Sequence, residues 1–218
     1  MNTRIVIAIA LLTTLTTITL QPKTIFSKFE IKKIIIENNS LLKKEEIEKL
    51  LVKVYNQNLI LFKNEEIEKA LMQNSFIESF NIKKKYPSTL NISIFEKVPV
   101  VILQTKKKKF YLSGKNDLIE FRVFKKYKDL PYVIGNKEEF GIFYNNLKKI
   151  NFPTNLITKY TLYELNRWDL ETVNKKTIKL PSKNYTTYLK SYLKMQSKND
   201  FQKYKVFDFR IKDQLILK

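Results

Sequence analysis

Between residues 45 and 66 four carboxylates stand in adjacent pairs, Glu45-Glu46 and Glu65-Glu66, and paired acids are one way to divide general-acid and general-base work. Each pair opens a run with helical spacing, and negative charge in a first helical turn is favoured by the macrodipole. They are therefore read as helix starts. Ser113 or Ser182 with a desolvated lysine would make an anchored Ser–Lys hydrolase. Both serines lie in polar, turn-like contexts, and among 41 Lys+Arg a lysine neighbour arises by chance. The chain has no histidine, which removes the commonest general base and metal ligand, and no cysteine, which removes thiolates and disulfides. Catalysis is left without its usual tools, and no enzyme, cofactor, metal or small-molecule substrate is expected.

The rest of the composition describes a folded, strongly basic chain. In 218 residues, 44% are apolar, with 15 Phe and 12 Tyr, enough for one or two small domains beyond an anchor. The formal net charge of +20 favours anionic partners such as lipid headgroups, nucleic acid, cell-wall polymers or an acidic protein. The lysines are scattered rather than gathered on one face, so compositional drift in a Lys-, Asn- and Ile-rich chain is the simpler source of the charge. Nucleic-acid binding rests on net charge alone.

Residues 1–4 form a short tail before IVIAIALLTTLTTITL, sixteen uncharged residues at 5–20 followed by Gln21-Pro22-Lys23. As a helix this run spans roughly 24 Å against a ~30 Å hydrocarbon layer, and Arg4 can snorkel to extend it. Its five threonines weaken it, although a helical threonine can bond back to the preceding turn. Residues 5–22, with Ile5, Leu11, Leu12 and Leu20 facing lipid, are expected to be one uncleaved transmembrane helix; a cleaved secretory signal is the rival. Both export the remainder.

Beyond the anchor the pattern is α+β. Residues 29–38 are β-branched and strand-like. Ile47, Leu50, Leu51 and Val54 form one apolar stripe in a helix over 42–56. A second helix is predicted over 64–73, with Asn64 as N-cap and Ile67, Ala70 and Leu71 inward. Then FNIKKKYPSTLNISIFEKVPVVIL at 80–103 alternates apolar and polar residues twice around Tyr86-Pro87. The order β-α-α-β-β predicts two helices on one face of a small sheet.

That order, with KKEEIEKLL, NEEIEKAL and KKYPSTLNISIFEKVPV, resembles a POTRA domain, and one such domain after an N-terminal anchor resembles the FtsQ/DivIB cell-division family. Tyr86, Pro87, Glu96 and Pro99 carry its most specific signature. Glu37 and Lys43 depart from it, standing where the family tends to have Gly and a small polar residue. The resemblance continues through Leu130-Pro131…Gly135, a helix over 137–150, the Arg167-Trp168-x-Leu170 hairpin turning at 174–176, a helix over 185–195 and Val206-x-Asp208-x-Arg210. It implies a POTRA domain at 28–103 and, at 104–218, a mixed β-sheet domain with flanking helices.

The family resemblance also implies a function: a non-enzymatic division scaffold of the inner membrane, single-pass, with its C-terminal part periplasmic at the septum. Such a scaffold recruits FtsB- and FtsL-like partners by edge-strand pairing. The candidate edge is 207–218, with Phe207, Asp208, Phe209, Arg210, Ile211, Lys212 and Leu215 as its residues. Period-2 geometry places Phe207, Phe209 and Ile211 on one face, expected to be core, with Asp208, Arg210 and Lys212 on the other. The alternative is a POTRA-type envelope protein assisting outer-membrane protein assembly or secretion; the sequence shows neither several POTRA repeats nor barrel strands.

Overall fold

The computed structural model describes residues 3–17 and 28–218. Helix α1 runs Thr3–Thr17, and two of its threonines bond back as expected: Thr13 Oγ1 donates to the carbonyls of Ile9 and Ala10 (3.0 and 2.9 Å), and Thr14 Oγ1 to Leu11 (2.9 Å). Ile5, Leu11 and Leu12 are exposed on it; Leu20 lies outside the described residues. Among the described residues no helix is long and apolar enough to cross a membrane. The chain divides into two compact units, Met1–Glu96 and Lys97–Lys218.

In the first unit β1 (Lys33–Glu37), α2 (Lys44–Leu50), α3 (Asn64–Leu71), β2 (Ile77–Lys85) and β3 (Thr89–Glu96) follow in the anticipated order. The sheet order is β1-β3-β2, with β1 parallel and β2 antiparallel to the central β3. Ile34 and Ile36 of β1 and Leu90, Ile92 and Ile94 of β3 are buried, as are Ile47 of α2 and Ile67 and Leu71 of α3. The long first helix is shorter than expected, giving way after Leu50 to a 3-10 turn at Val52–Val54. Asn64 is the first helical residue rather than the cap: Lys63 holds the cap position of α3 and Lys43 that of α2, neither with a side-chain cap bond. Both acidic pairs do lie in first turns.

The departure at Glu37 has a compensation. Its carboxylate accepts from Asn91 Nδ2 at 3.0 Å, and the left-handed backbone angle falls on the next residue, Asn38 (φ 64°), a residue type that tolerates it. Glu96 has a sharper role. It accepts from three consecutive backbone N–H groups: Ser40 (3.1 Å), Leu41 (3.0 and 2.8 Å, one to each oxygen) and Leu42 (2.8 Å). The acid at the end of β3 thus fixes the loop that leads into α2. Tyr86, next to Pro87 in the β2–β3 turn, packs edge-on against Phe29 at 6.3 Å.

The second unit is a nine-stranded mixed sheet with helices. In chain order the strands are β4 (Pro99–Gln104), β5 (Lys109–Ser113), β6 (Leu118–Glu120), β7 (Tyr132–Ile134), β8 (Ile157–Tyr163), β9 (Arg167–Thr172), β10 (Thr177–Lys179), β11 (Val206–Asp208) and β12 (Ile216–Leu217). Helix α4 (Lys137–Lys149) follows β7, and α5 (Tyr185–Gln196) follows β10. The spatial order is β12-β11-β10-β9-β8-β7-β4-β5-β6.

The expected domain limit at 103 does not match this division. Strand β4 pairs with β5 on one side and β7 on the other, so Pro99–Gln104 lies inside the second sheet. Pro99 opens that strand, opposite Ser113 and beside a bulge, instead of marking where a first-unit strand stops. Lys106–Lys108 then form the β4–β5 turn.

Helix α4 is capped by Asn136, whose side chain accepts from the N–H of Glu139 at 2.8 Å. Phe140, Phe143 and Leu147 face the core. Gly135 just before it is required by contact: a Cβ there would lie 2.8 Å from the Cβ of Leu162.

Candidate functional site

Ser113 is buried and its hydroxyl is committed to a turn. It donates to Asp117 Oδ2 at 2.7 Å and accepts from the N–H groups of Lys115 (3.1 Å) and Asp117 (3.0 Å). Ser182 is exposed. Neither has the setting of an activated nucleophile, and among the described residues no cluster of three metal-ligating side chains occurs. What the fold does build is a polar row running to one end of the large sheet.

That row begins on β9. Trp168 is buried and stacks on Phe143, centroids 4.8 Å apart, so its neighbours Arg167 and Asp169 point to the opposite face. Arg167 lies over the Tyr163 ring at 4.8 Å, and its Nε is 3.9 Å from Asp169 Oδ1. Antiparallel pairing sets Asp169 opposite Lys179 of β10, and parallel pairing sets Lys179 beside Asp208 of β11. Charges alternate across three strands, the favourable arrangement for cross-strand neighbours. The next position in the row is Ile216 of β12.

Asp208 is the firmest member. Arg210 Nε and Nη2 grip both its oxygens at 2.6–3.0 Å, and the Arg210 N–H donates to Asp208 Oδ1 at 3.1 Å. The side-chain bond to Arg210 holds the Asp208 carboxyl below its usual range, and the same bond raises the guanidinium. Asp169 moves the other way: burial raises it, opposed by Arg167, Lys179 and Arg210 and reinforced by Asp208. Among the described residues its Oδ1 and the Arg167 Nε have no hydrogen-bond partner despite being buried.

The Asp208–Arg210 bond also changes what the last segment is. A side-chain oxygen accepting from the N–H two residues on makes a turn, and β11 stops at Asp208. Phe207 and Phe209 are buried as expected, against Tyr192 (5.0 Å) and Tyr188 (5.6 Å). Ile211 is not: with the strand ended it is 49% exposed, so the three-residue core face fails at its third member. Lys212 is exposed, and Leu215 packs on the core from the returning arm.

The expected edge is therefore in the wrong place. Strand β11 is paired with β10 on one side and β12 on the other. Phe207 and Asp208 are interior to the sheet, Phe209 to Leu215 form the connection, and the edge is Ile216–Leu217. Val206 and Lys218 exchange both main-chain hydrogen bonds (2.9 and 3.2 Å). In an antiparallel ladder the neighbouring pair, Phe207 with Leu217, is then the non-bonded kind, so the N–H and C=O of Leu217 point away from β11. No described strand lies beyond them. The signal missed in the sequence is the short hairpin KDQLIL, with Asp213 in the left-handed region (φ 58°) at its turn.

Comparison with known proteins agrees with this architecture. Residues 29–97 match the family model described as POTRA domain, FtsQ-type. A protein named Cell division protein FtsQ from Rickettsia bellii is 25% identical over 192 residues, covering 85% of this chain and 70% of its own. The protein of that name from Rickettsia conorii is 26% identical over 189 residues, with the same coverage. The solved major extracytoplasmic domain of the trans isomer of the cell division protein DivIB from Geobacillus stearothermophilus shares 11% identity. It covers 50% of this chain and 98% of that one at a TM-score of 0.34. The similarity to FtsQ proteins spans both units, beyond the POTRA match alone. Residues 29–97 thus carry a POTRA domain of the FtsQ type, and the chain as a whole is similar to FtsQ cell-division proteins.

Proposed function

We propose that this chain is a scaffold of the bacterial division machinery, held at the inner membrane by residues 5–22, that recruits FtsB- and FtsL-like partners at its second unit. The partner adds a strand against Ile216–Leu217. The observation that carries this reading is the outward direction of the Leu217 N–H and C=O at the end of the nine-stranded sheet. An open edge offers main-chain hydrogen bonds as affinity, and neighbouring side chains supply selection. Here those neighbours are Ile216 and the charge row Asp208–Lys179–Asp169 that runs up to it.

Replacing the whole segment 206–218 would remove β11 and the core residues Phe207 and Phe209, so it tests folding as much as binding. Leu217→Pro is cleaner. It deletes the outward N–H and leaves the Val206–Lys218 exchange in place, a position where an edge strand tolerates proline. Loss of FtsB-like partner capture by the full chain, with Trp168 fluorescence unchanged, supports the edge; unchanged capture refutes it. A fluorescent fusion tests the wider reading, which requires a midcell band in dividing cells.

A further inference from the structure

The first unit carries a groove that owes nothing to the sheet edge. A groove of about 530 Å³ lies between the α2–3-10 segment and α3, within the roughly 300–1,000 Å³ range of ligand sites. Leu50, Val52 and Ala70 give it an apolar lining, and Val52 is 63% exposed although its neighbours Leu51 and Val54 are buried. Lys49, Lys53 and Lys69 line the same groove. The single carboxylate among its lining residues, Glu66, already accepts from Gln57 Nε2 at 2.7 Å. Among the described residues none of the three lysines has a carboxylate partner.

We propose that this groove binds an amphipathic helix that places aliphatic side chains on Leu50, Val52 and Ala70 and carboxylates beside Lys49, Lys53 and Lys69. The walls choose the form of the partner. Both are helical, with main-chain groups engaged within their own turns, so they offer no ladder to an added strand; recognition falls to side chains entering a groove. The lysines choose its charge: three ammonium groups around one already bonded carboxylate attract acid and repel base. The site needs no new backbone order, because the lysine stems can lie along the apolar lining while their heads stay wet.

The test uses the full chain in neutral detergent and a synthetic helical peptide with leucine on one face and glutamate along both flanks, followed by fluorescence anisotropy. Saturable binding is expected, weakened at least about tenfold in the triple variant K49E/K53E/K69E and by Val52→Glu, and reduced by added salt. The same peptide with lysine for glutamate should not bind. The three lysines are surface residues, so the triple variant should keep its far-UV spectrum and melting temperature; Val52→Ser serves if Val52→Glu does not. Absent saturation, equal binding by the triple variant, or equal binding of the lysine peptide would overturn the proposal. So would flotation of the chain with anionic phosphatidylglycerol vesicles that depends on these lysines while the peptide fails to compete, since the groove would then serve a lipid surface.

Discussion

Glu96 holds the N–H of Leu41 with both carboxylate oxygens, at 3.0 and 2.8 Å, across 55 residues of sequence. With Ser40 and Leu42 beside it, this is a carboxylate seated in a nest of backbone donors, the anion site that successive N–H groups form. It explains a signature residue that the strand pattern alone does not need. Glu96→Ala should destabilise the first unit by about 2–3 kcal/mol, because charge-assisted bonds are lost and three donors are left for water to find. Glu96→Gln should recover part of this. Amide exchange across 34–37 and 90–94 is the suitable measurement, because the single tryptophan lies in the other unit.

Phe207 and Phe209 are core residues, and their substitution should read as folding defects. Phe207→Ala should cost about 3–5 kcal/mol, seen in Trp168 fluorescence during denaturation. Ile211→Ala, at an exposed position two residues on, should stay within about 0.5 kcal/mol. Equal effects would mean that the strand runs on past Asp208.

Asp208 and Asp169 make opposite predictions with pH. The folded-state value of Asp208 is lowered, so its stabilisation is complete above the ordinary carboxylate range and is lost as pH falls through the folded value. Asp208→Asn should therefore destabilise at neutral pH, by about 1–2 kcal/mol because Arg210 is more than a third exposed, and the gap to wild type should close in acid. Asp169 is raised, so its ionisation works against the fold: stability falls as pH rises from the unfolded to the folded value. A melting-temperature profile of the wild type, Asp208→Asn and Asp169→Asn separates the two.

Gly135 predicts a steric effect. Gly135→Ala drives a Cβ to within 2.8 Å of the Cβ of Leu162, and either strand β7 or β8 must shift. A loss of about 1–3 kcal/mol is expected, read by thermal denaturation.

Much of this fold is written in local pattern. The apolar stripes at Ile47 and Ile67 and the alternation of Leu90, Ile92 and Ile94 mark elements whose burial follows from period alone. Trp168 and Ile178-x-Leu180 do the same in the second unit. What local pattern does not carry is which sheet a strand joins. Pro99–Gln104 is a buried apolar run that would suit either unit, and only its partners β5 and β7 place it. The last segment departs from its pattern for a different reason. Its alternation continues through Ile211, but the Asp208–Arg210 turn ends the strand first, and β12 folds back over the edge that β11 would have offered.

The central claim is that the working edge is Leu217, and amide hydrogen exchange at that residue tests it most directly. In the full chain alone the Leu217 N–H should exchange freely while that of Lys218, bonded to Val206, is protected. Adding an FtsB-like partner should slow Leu217 by at least about tenfold, worth ~1.4 kcal/mol of added protection. A bound partner that leaves the Leu217 exchange unchanged would contradict the account.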